Sequence, residues 1–170
     1  KYIDNERNLK MKVGIVMGSK SDYPVVERAE KILADFGVKF VTRVISAHRT
    51  PKAAEQFASG AEADGIEVII AAAGKAAHLG GVLAAYTPLP VIGLPVKSST
   101  LDGLDSLLSI VQMPKGVPVA TVAIDGAENA GILAVQILSV KYPELRQAMK
   151  DYKAKMEADI MAVDAEFSSK

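Results

Sequence analysis

The chain of 170 residues has a mass of 18.0 kDa, no cysteine and only two histidines. Its twenty basic and twenty acidic residues cancel, so the molecule lacks the summed positive charge that attracts nucleic acids and anionic membrane surfaces. The absence of cysteine excludes thiolate catalysis, disulfides and thiolate metal sites, and two histidines are few for a metal centre.

A chain of this length can bury roughly 70% of the surface that it exposes when unfolded, so we expect a single domain. No apolar run approaches the roughly 20 residues of a membrane helix, and the start of the chain lacks the hydrophobic segment of a secretory signal. We therefore expect a cytoplasmic protein without a membrane or nucleic-acid partner. Residues 1–10 are polar and aperiodic, and we interpret them as an extension that is either native or introduced by cloning.

Apolar runs and amphipathic stretches alternate along the chain, which is typical of an α/β fold with a parallel sheet covered by helices on both faces. The pattern predicts strands at residues 12–17, 38–45, 66–73, 91–96 and 117–122. It predicts helices that end before Gly37, run from Pro51 to about residue 63, end at Tyr86, and cover residues 101–111, 129–140 and 142–167. Gly37 is interpreted as a C-cap, Thr50 as an N-cap and Pro51 as the first helical residue.

The two C-terminal helices carry more apolar side chains than one small domain can easily bury. Residues 129–140 are apolar on nearly every face, which is typical of a helix that is buried on all sides. Residues 142–167 have apolar side chains at steps of three and four, and this helix either packs on its own domain or extends onto a second subunit. We expect an oligomer.

The loops after the first three strands carry the candidate functional residues, because ligands of such sheets bind at the carboxyl ends of the strands. The first loop contains Ser19, Ser21 and Asp22 before a helix. A helix start of this kind binds an anion or simply caps its own backbone, and both interpretations stay open. The carboxylate of Asp22 also suits hydrogen bonds to ribose hydroxyls.

The second loop combines Ser46, His48 and Arg49 within four residues. A guanidinium can bind a phosphate through two parallel hydrogen bonds, and a histidine can donate and accept a proton in one turnover. We predict that His48 is catalytic. None of the three loop serines lies in the GxSxG turn of a serine nucleophile.

The third loop, at residues 74–81, is rich in small residues, which let the backbone approach a flat ligand closely. It contains Gly74, Lys75 and His78. His78 either lines the pocket or holds the loop by hydrogen bonds. Lys75 is either a charge at the rim of the pocket or a contact for a phosphate or carboxylate.

Four segments in this order closely resemble the PurE family of purine biosynthesis: VGIVMGSKSD, ISAHRTP, AAAGKAAHLGG and the stretch that begins PVIGLPVKSST. The resemblance covers roughly residues 12–138 and implies a flavodoxin-like three-layer sandwich, with residues 11–170 as a single catalytic domain. The SAHRTP form is similar to the class I enzymes, N5-carboxyaminoimidazole ribonucleotide mutases, rather than to the class II carboxylases. The resemblance further implies a homo-octamer with active sites at subunit contacts.

The resemblance also assigns roles to individual residues. It implies a phosphate site at Ser21, Ser46 and Arg49, a ribose contact at Asp22 with Ser19 beside it, and His48 as the catalytic histidine. Gly74 and His78 belong to the same implied pocket. The third loop departs from the usual AGAGGAAHLPG at Ala72, Lys75 and Gly80.

The implied reaction needs no metal, ATP or organic cofactor. His48 protonates the carbamate nitrogen, CO₂ is released into a dry cavity formed by the third loop, carbon C4 of the ring attacks it, and neutral His48 removes the C4 proton. A carboxylase that uses CO₂ directly and a noncatalytic nucleotide-binding module are the alternatives. A flavin carrier is disfavoured because only 5% of the residues are aromatic and tryptophan is absent.

Overall fold

Five parallel strands form the centre of the structure, a computed structural model that describes residues 11–169. The predicted extension at residues 1–10 lies outside the described residues. The strands are β1 (Lys12–Met17), β2 (Lys39–Val44), β3 (Val68–Gly74), β4 (Val91–Val96) and β5 (Ala120–Thr121). They pair in the order β2-β1-β3-β4-β5. Strands β1 and β3 are therefore neighbours, with β2 on one side of this pair and β4 and β5 on the other. This order is that of flavodoxin-like folds.

Six helices cover the sheet within the described part of the chain. They are α1 (Tyr23–Asp35), α2 (Pro51–Gly60), α3 (Leu79–Tyr86), α4 (Leu104–Val111), α5 (Ala127–Ser139) and α6 (Pro143–Ser168). Short 3₁₀ turns at Lys20–Asp22 and Leu101–Gly103 lead into α1 and α4. None of these helices is long and apolar enough to cross a lipid bilayer.

Two separate apolar cores lie on the two faces of the sheet, as expected because successive strand residues point in opposite directions. Val68, Ile70 and Ala72 of β3 pack with α1, α5 and the start of α6, whereas Ile69 and Ala71 pack with α2, α3 and α4. All of these side chains are fully buried. The three-layer α/β/α architecture predicted from the sequence is therefore confirmed.

The predicted bounds of β1 and β4 are confirmed, whereas several other predicted bounds were wrong. The fifth strand was predicted over residues 117–122 but forms ladder pairs only at Ala120 and Thr121. Pro118 lies in the predicted segment, and a proline has no N–H to donate to a ladder. Helix α2 ends at Gly60 rather than near residue 63, because the chain turns back through Gly65, whose φ is +75°.

One helix start and one helix cap also differ from the prediction. The helix expected at residues 101–111 begins in α-helical form only at Leu104, since Leu101 and Asp102 have φ angles of +52° and +53°. Thr50 does precede α2, but its hydroxyl makes no capping bond to that helix. It donates instead to the carbonyl of Ser46 at 3.0 Å and accepts from the Ser46 amide at 2.9 Å, which closes the loop before α2.

The apolar helix α5 is buried mainly by its own subunit. It lies on the sheet between α1 and α6, and its buried side chains belong to the same core as β3 and β4. Ile132, Leu133 and Ile137 are only partly buried within the subunit, so the expectation of a neighbouring subunit at α5 stays a prediction. Helix α6 behaves differently: Leu145 and Met149 are buried on the domain, whereas every residue from 153 to 169 is exposed.

Candidate active site

A cleft of about 520 Å³ lies across the carboxyl ends of the first four strands. Its wall is built from the loops that follow β1, β2, β3 and β4. All eight predicted site residues line it, namely Ser19, Ser21, Asp22, Ser46, His48, Arg49, Gly74 and His78. The sheet therefore brings together residues that are as many as 59 positions apart in the sequence, from Ser19 to His78.

The loop after β1 forms a closed hydrogen-bonded turn. The Ser19 hydroxyl oxygen accepts from the Ser21 amide at 3.3 Å and from the Ser21 hydroxyl at 3.0 Å. In return, the Ser19 amide donates to Asp22 Oδ2 at 3.1 Å, which completes a capping box. The capping interpretation of this loop is therefore confirmed, and the anion-binding interpretation stays a prediction.

Asp22 is the buried carboxyl group of the cleft, with 9% of its surface exposed. Burial raises the pKa of Asp22 above its ordinary value, because a charged carboxylate loses its water there. Hydrogen bonds from Ser21 and Ser19 and the nearby charge of Arg49 act in the opposite direction but do not cancel this rise. The protein therefore holds a carboxyl group whose ionisation costs more than it would in water.

Arg49 is fixed in place by the ends of β1 and β2. Its Nη2 donates to the carbonyl of Gly18 at 3.0 Å, and its Nε donates to the Ser46 hydroxyl at 3.3 Å. The Ser46 hydroxyl also accepts the amide of Arg49 at 3.2 Å. These contacts use two of the five N–H groups of a guanidinium, so a fixed cation with further donors stands beside the serine hydroxyls, a combination suited to a phosphate.

The two histidines of the chain contact each other across the cleft. His48 Nε2 and His78 Nδ1 are 2.8 Å apart, with the rings 4.9 Å between centroids and tilted by 74°. A hydrogen bond between two ring nitrogens needs one of them as acceptor, so at least one of the two imidazoles is neutral in this arrangement. His78 lines the pocket and makes no capping bond to α3. The side chain of His78 is hydrogen-bonded to His48 instead.

The loop after β3 brings backbone close to the cleft. A side chain at Gly74 would place its Cβ 3.2 Å from the carbonyl oxygen of Val96 on the neighbouring strand β4, which favours a glycine there. Next to it, Lys75 has a φ of +56°, and the Ala77 amide donates to the Lys75 carbonyl at 2.8 Å. Ala77 and Leu79 are buried, whereas His48 and Ala76 are exposed.

The sequence analysis missed the contribution of the fourth strand. Lys97 and Ser98 follow β4 and line the cleft, and Lys97 Nζ lies 3.3 Å from Asp102 Oδ1. The signal that could have identified them is the rule applied to the first three loops, since the carboxyl end of β4 lies at the same edge of the sheet.

Comparison with known proteins gives a consistent result. The family model described as AIR carboxylase matches residues 12–159. The N5-carboxyaminoimidazole ribonucleotide mutase of Pyrococcus abyssi is 62% identical over 146 residues, which are 86% of this chain and 84% of that protein. The protein of the same name from Thermotoga maritima is 59% identical over 150 residues, 88% of each chain. The crystal structure of Treponema denticola PurE superposes with a TM-score of 0.84 at 29% identity, covering 91% of this chain and 97% of that one.

The raised pKa of Asp22 makes a prediction about stability. Because the folded-state pKa lies above the unfolded value, the folding free energy that Asp22 contributes becomes less favourable as the pH rises through the folded pKa. An amide avoids this cost and can still accept from Ser19 and donate to Ser21. Asp22→Asn should therefore raise the melting temperature at about pH 7, and this gain should shrink toward about pH 4, near the unfolded pKa.

The measurement compares thermal unfolding of the Asp22→Asn variant and the wild type at both pH values. Asp64→Asn, at an exposed carboxylate, is the control for a general change of charge. A difference between Asp22→Asn and the wild type that stays constant with pH would contradict the prediction.

Proposed function

The chain belongs to the AIR carboxylase family, and we propose that it is an N5-carboxyaminoimidazole ribonucleotide mutase of purine biosynthesis, with residues 11–170 as one catalytic domain. It interconverts N5-carboxyaminoimidazole ribonucleotide and 4-carboxy-5-aminoimidazole ribonucleotide, abbreviated CAIR. The observation that carries the proposal is the cleft in which Arg49, His48 and the serine hydroxyls converge, in a chain 59–62% identical to relatives of that name.

The nucleotide is proposed to lie across the strand ends with its phosphate over β1 and β2. Ser21, Ser46 and Arg49 would bind the phosphate, because two hydroxyls and a fixed guanidinium supply several hydrogen bonds and a positive charge. Asp22, with Ser19 beside it, would accept hydrogen bonds from the ribose hydroxyls. The imidazole ring then extends toward His48, His78 and the backbone of Gly74.

The proposed chemistry uses one histidine twice. Imidazolium His48 donates its proton to the carbamate nitrogen, the nitrogen–carbon bond breaks with its electron pair going to nitrogen, and CO₂ leaves. The electron-rich ring carbon C4 of aminoimidazole ribonucleotide then attacks CO₂ and forms the new carbon–carbon bond. Neutral His48 takes the C4 proton, so the ring regains its aromaticity and His48 regains its starting charge.

His78 is proposed to position His48. The substrate nitrogen would replace His78 Nδ1 as the hydrogen-bond partner of His48 Nε2, at a ring already oriented by the 2.8 Å contact. A second role of the surroundings is to keep water from the released CO₂, and the buried side chains of Ala73 and Leu79 supply apolar surface in the lining of the cleft.

We further infer that the chain forms a homo-oligomer, and the resemblance to the PurE family implies that this oligomer is an octamer. The apolar stripe of α6 that packs on the domain through Leu145, Met149 and Tyr152 continues along the same helical face at Met156, Ile160 and Val163. These three are 46%, 69% and 50% exposed, so the stripe runs past the edge of its own domain and fits a neighbouring subunit.

We also infer a cytoplasmic location, because a phosphorylated nucleotide does not cross a membrane unaided and is used where it is made.

The proposed function predicts which substrate the enzyme uses. Purified enzyme should form CAIR rapidly from N5-carboxyaminoimidazole ribonucleotide, and slowly from aminoimidazole ribonucleotide with bicarbonate at a physiological concentration, as followed by ultraviolet absorbance. Turnover mainly from the free amine would instead identify a carboxylase. Binding of nucleotide without turnover of either substrate would leave a nucleotide-binding module.

His48→Asn should retain the fold and nucleotide binding but lower kcat by about 10³-fold or more, because both proton transfers lose their carrier. Calorimetry with aminoimidazole ribonucleotide in CO₂-free buffer measures binding, and the absorbance assay measures turnover. His78→Asn is the matched control, since it keeps His48 and removes only its partner, and it should lower kcat less. Residual activity of His48→Asn close to that of the wild type would reject the catalytic role.

The oligomer is tested by analytical ultracentrifugation. The wild type should sediment with a mass about eight times that of the 18.0 kDa chain, and Ile160→Lys should lower this mass because it places a charge in the apolar stripe. Ala158→Lys adds the same charge on the opposite face of α6, where neighbouring residues are also exposed, and should leave the mass unchanged. A wild-type mass of one chain would refute the proposal.

A further inference from the structure

The basic residues of the cleft lie in loops that follow three different strands. Its lining includes three permanently basic residues and one acidic residue, which are Arg49, Lys75, Lys97 and Asp22. Arg49 follows β2 and reaches the end of β1, whereas Lys75 follows β3 and Lys97 follows β4. With neighbouring strands about 4.8 Å apart, the order β2-β1-β3-β4 places the ends of β3 and β4 one and two strand spacings from the end of β1, which the Arg49 guanidinium contacts. We call the side of the cleft at β3 and β4 its lysine end.

This separation matches the charges of the proposed substrate, on which the following inference rests. N5-carboxyaminoimidazole ribonucleotide and CAIR each carry a phosphate at one end and a carboxylate at the other, bound to the amine nitrogen in the first and to ring carbon C4 in the second. With the phosphate at Ser21, Ser46 and Arg49, the carboxylate extends toward the lysine end. Aminoimidazole ribonucleotide has the same phosphate but lacks this carboxylate.

Lys75 and Lys97 differ in their availability for a ligand. Lys97 Nζ is already engaged with Asp102 Oδ1 at 3.3 Å. Within residues 11–169, by contrast, the Lys75 ammonium has no hydrogen-bond or ion-pair partner. Of the two cations at this end of the cleft, Lys75 is therefore the one whose charge is uncompensated.

The backbone of Lys75 adopts a conformation that is unfavourable for a residue with a side chain. Its φ of +56° lies in the left-handed region, which is unfavourable for a residue with a Cβ, whereas glycine adopts it freely. The sequence motif that this loop resembles has glycine at this position. Strain of this kind concentrates at ligand-binding positions, and here it lies in the tight turn that runs from Gly74 to Ala77.

We propose that Lys75 binds the carboxylate of the substrate and thereby makes this enzyme select carboxylated nucleotides over aminoimidazole ribonucleotide. The ammonium forms a charge-assisted hydrogen bond to the carboxylate at the lysine end of the cleft. Because the carboxylate charge disperses as CO₂ forms, this contact stabilises the bound substrate and product more than the transition state. Lys75 therefore sets affinity for the carboxylated forms and does not accelerate the reaction.

Lys75→Met tests the proposal, since it keeps the length of the side chain and its Cβ while removing the charge. The KM values for N5-carboxyaminoimidazole ribonucleotide and for CAIR should rise about tenfold, the loss expected for one charge-assisted hydrogen bond. The kcat value should not fall. The dissociation constant of aminoimidazole ribonucleotide, measured by calorimetry in CO₂-free buffer, should stay unchanged.

Three outcomes would overturn the proposal. Unchanged KM values would show that the carboxylate does not contact Lys75, and an equal loss of affinity for aminoimidazole ribonucleotide would show a general rim charge that acts on the phosphate. The selective loss occurring in Lys97→Met instead of Lys75→Met would assign the contact to Lys97. If the wild type converts neither substrate, the proposed function fails, and the dissociation constants of CAIR and aminoimidazole ribonucleotide still decide the role of Lys75.

Discussion

The parallel pairing of four strands is the constraint on which the rest of the structure depends. Parallel strands end at one edge of the sheet, so the loops after β1, β2, β3 and β4 meet there whatever their separation in sequence. The pairing in turn requires helices on both faces, because every backbone polar group of the central strands must be satisfied inside the sheet while their side chains are buried. The fully apolar β3 and β4 meet that requirement, and their burial fixes the position of the loops that carry chemistry.

Within that frame, hydrogen bonds between loops join turns that are each closed by hydrogen bonds of their own. Arg49 from the second loop donates to Gly18 at the end of β1, and His48 contacts His78 from the third loop at 2.8 Å. Each of these bonds spans at least 30 residues of sequence. The guanidinium and the imidazole are thus held before any ligand arrives, which reduces the ordering cost of binding.

The sequence predicted the elements from local pattern and the meeting of the loops from the rule for parallel strands, but it did not predict which side chains pair there. The bounds of β1 and β4 follow from continuous apolar runs, and Gly37 ends α1 as predicted, with a φ of +69°. The hydroxyl of Thr50, in contrast, bonds to Ser46 instead of capping α2, and no local pattern distinguishes these two partners. The His48–His78 contact likewise arises from the spatial order of β2, β1 and β3, which a single sequence does not contain.

The exposure of His48 conflicts with the chemistry proposed for it. Release and recapture of CO₂ require that water be kept away from the reacting carbon, yet His48 and Ala76 are exposed in a single subunit. Buried Ala73 and Leu79 supply apolar surface on one side of the cleft, and the opposite side is open to solvent. An exposed apolar surface is also present elsewhere, on the distal half of α6 and at Leu104 and Leu108 of α4. If the proposed oligomer covers the cleft as well as these surfaces, its assembly would remove water from both, and the oligomer and the dry active site would form together.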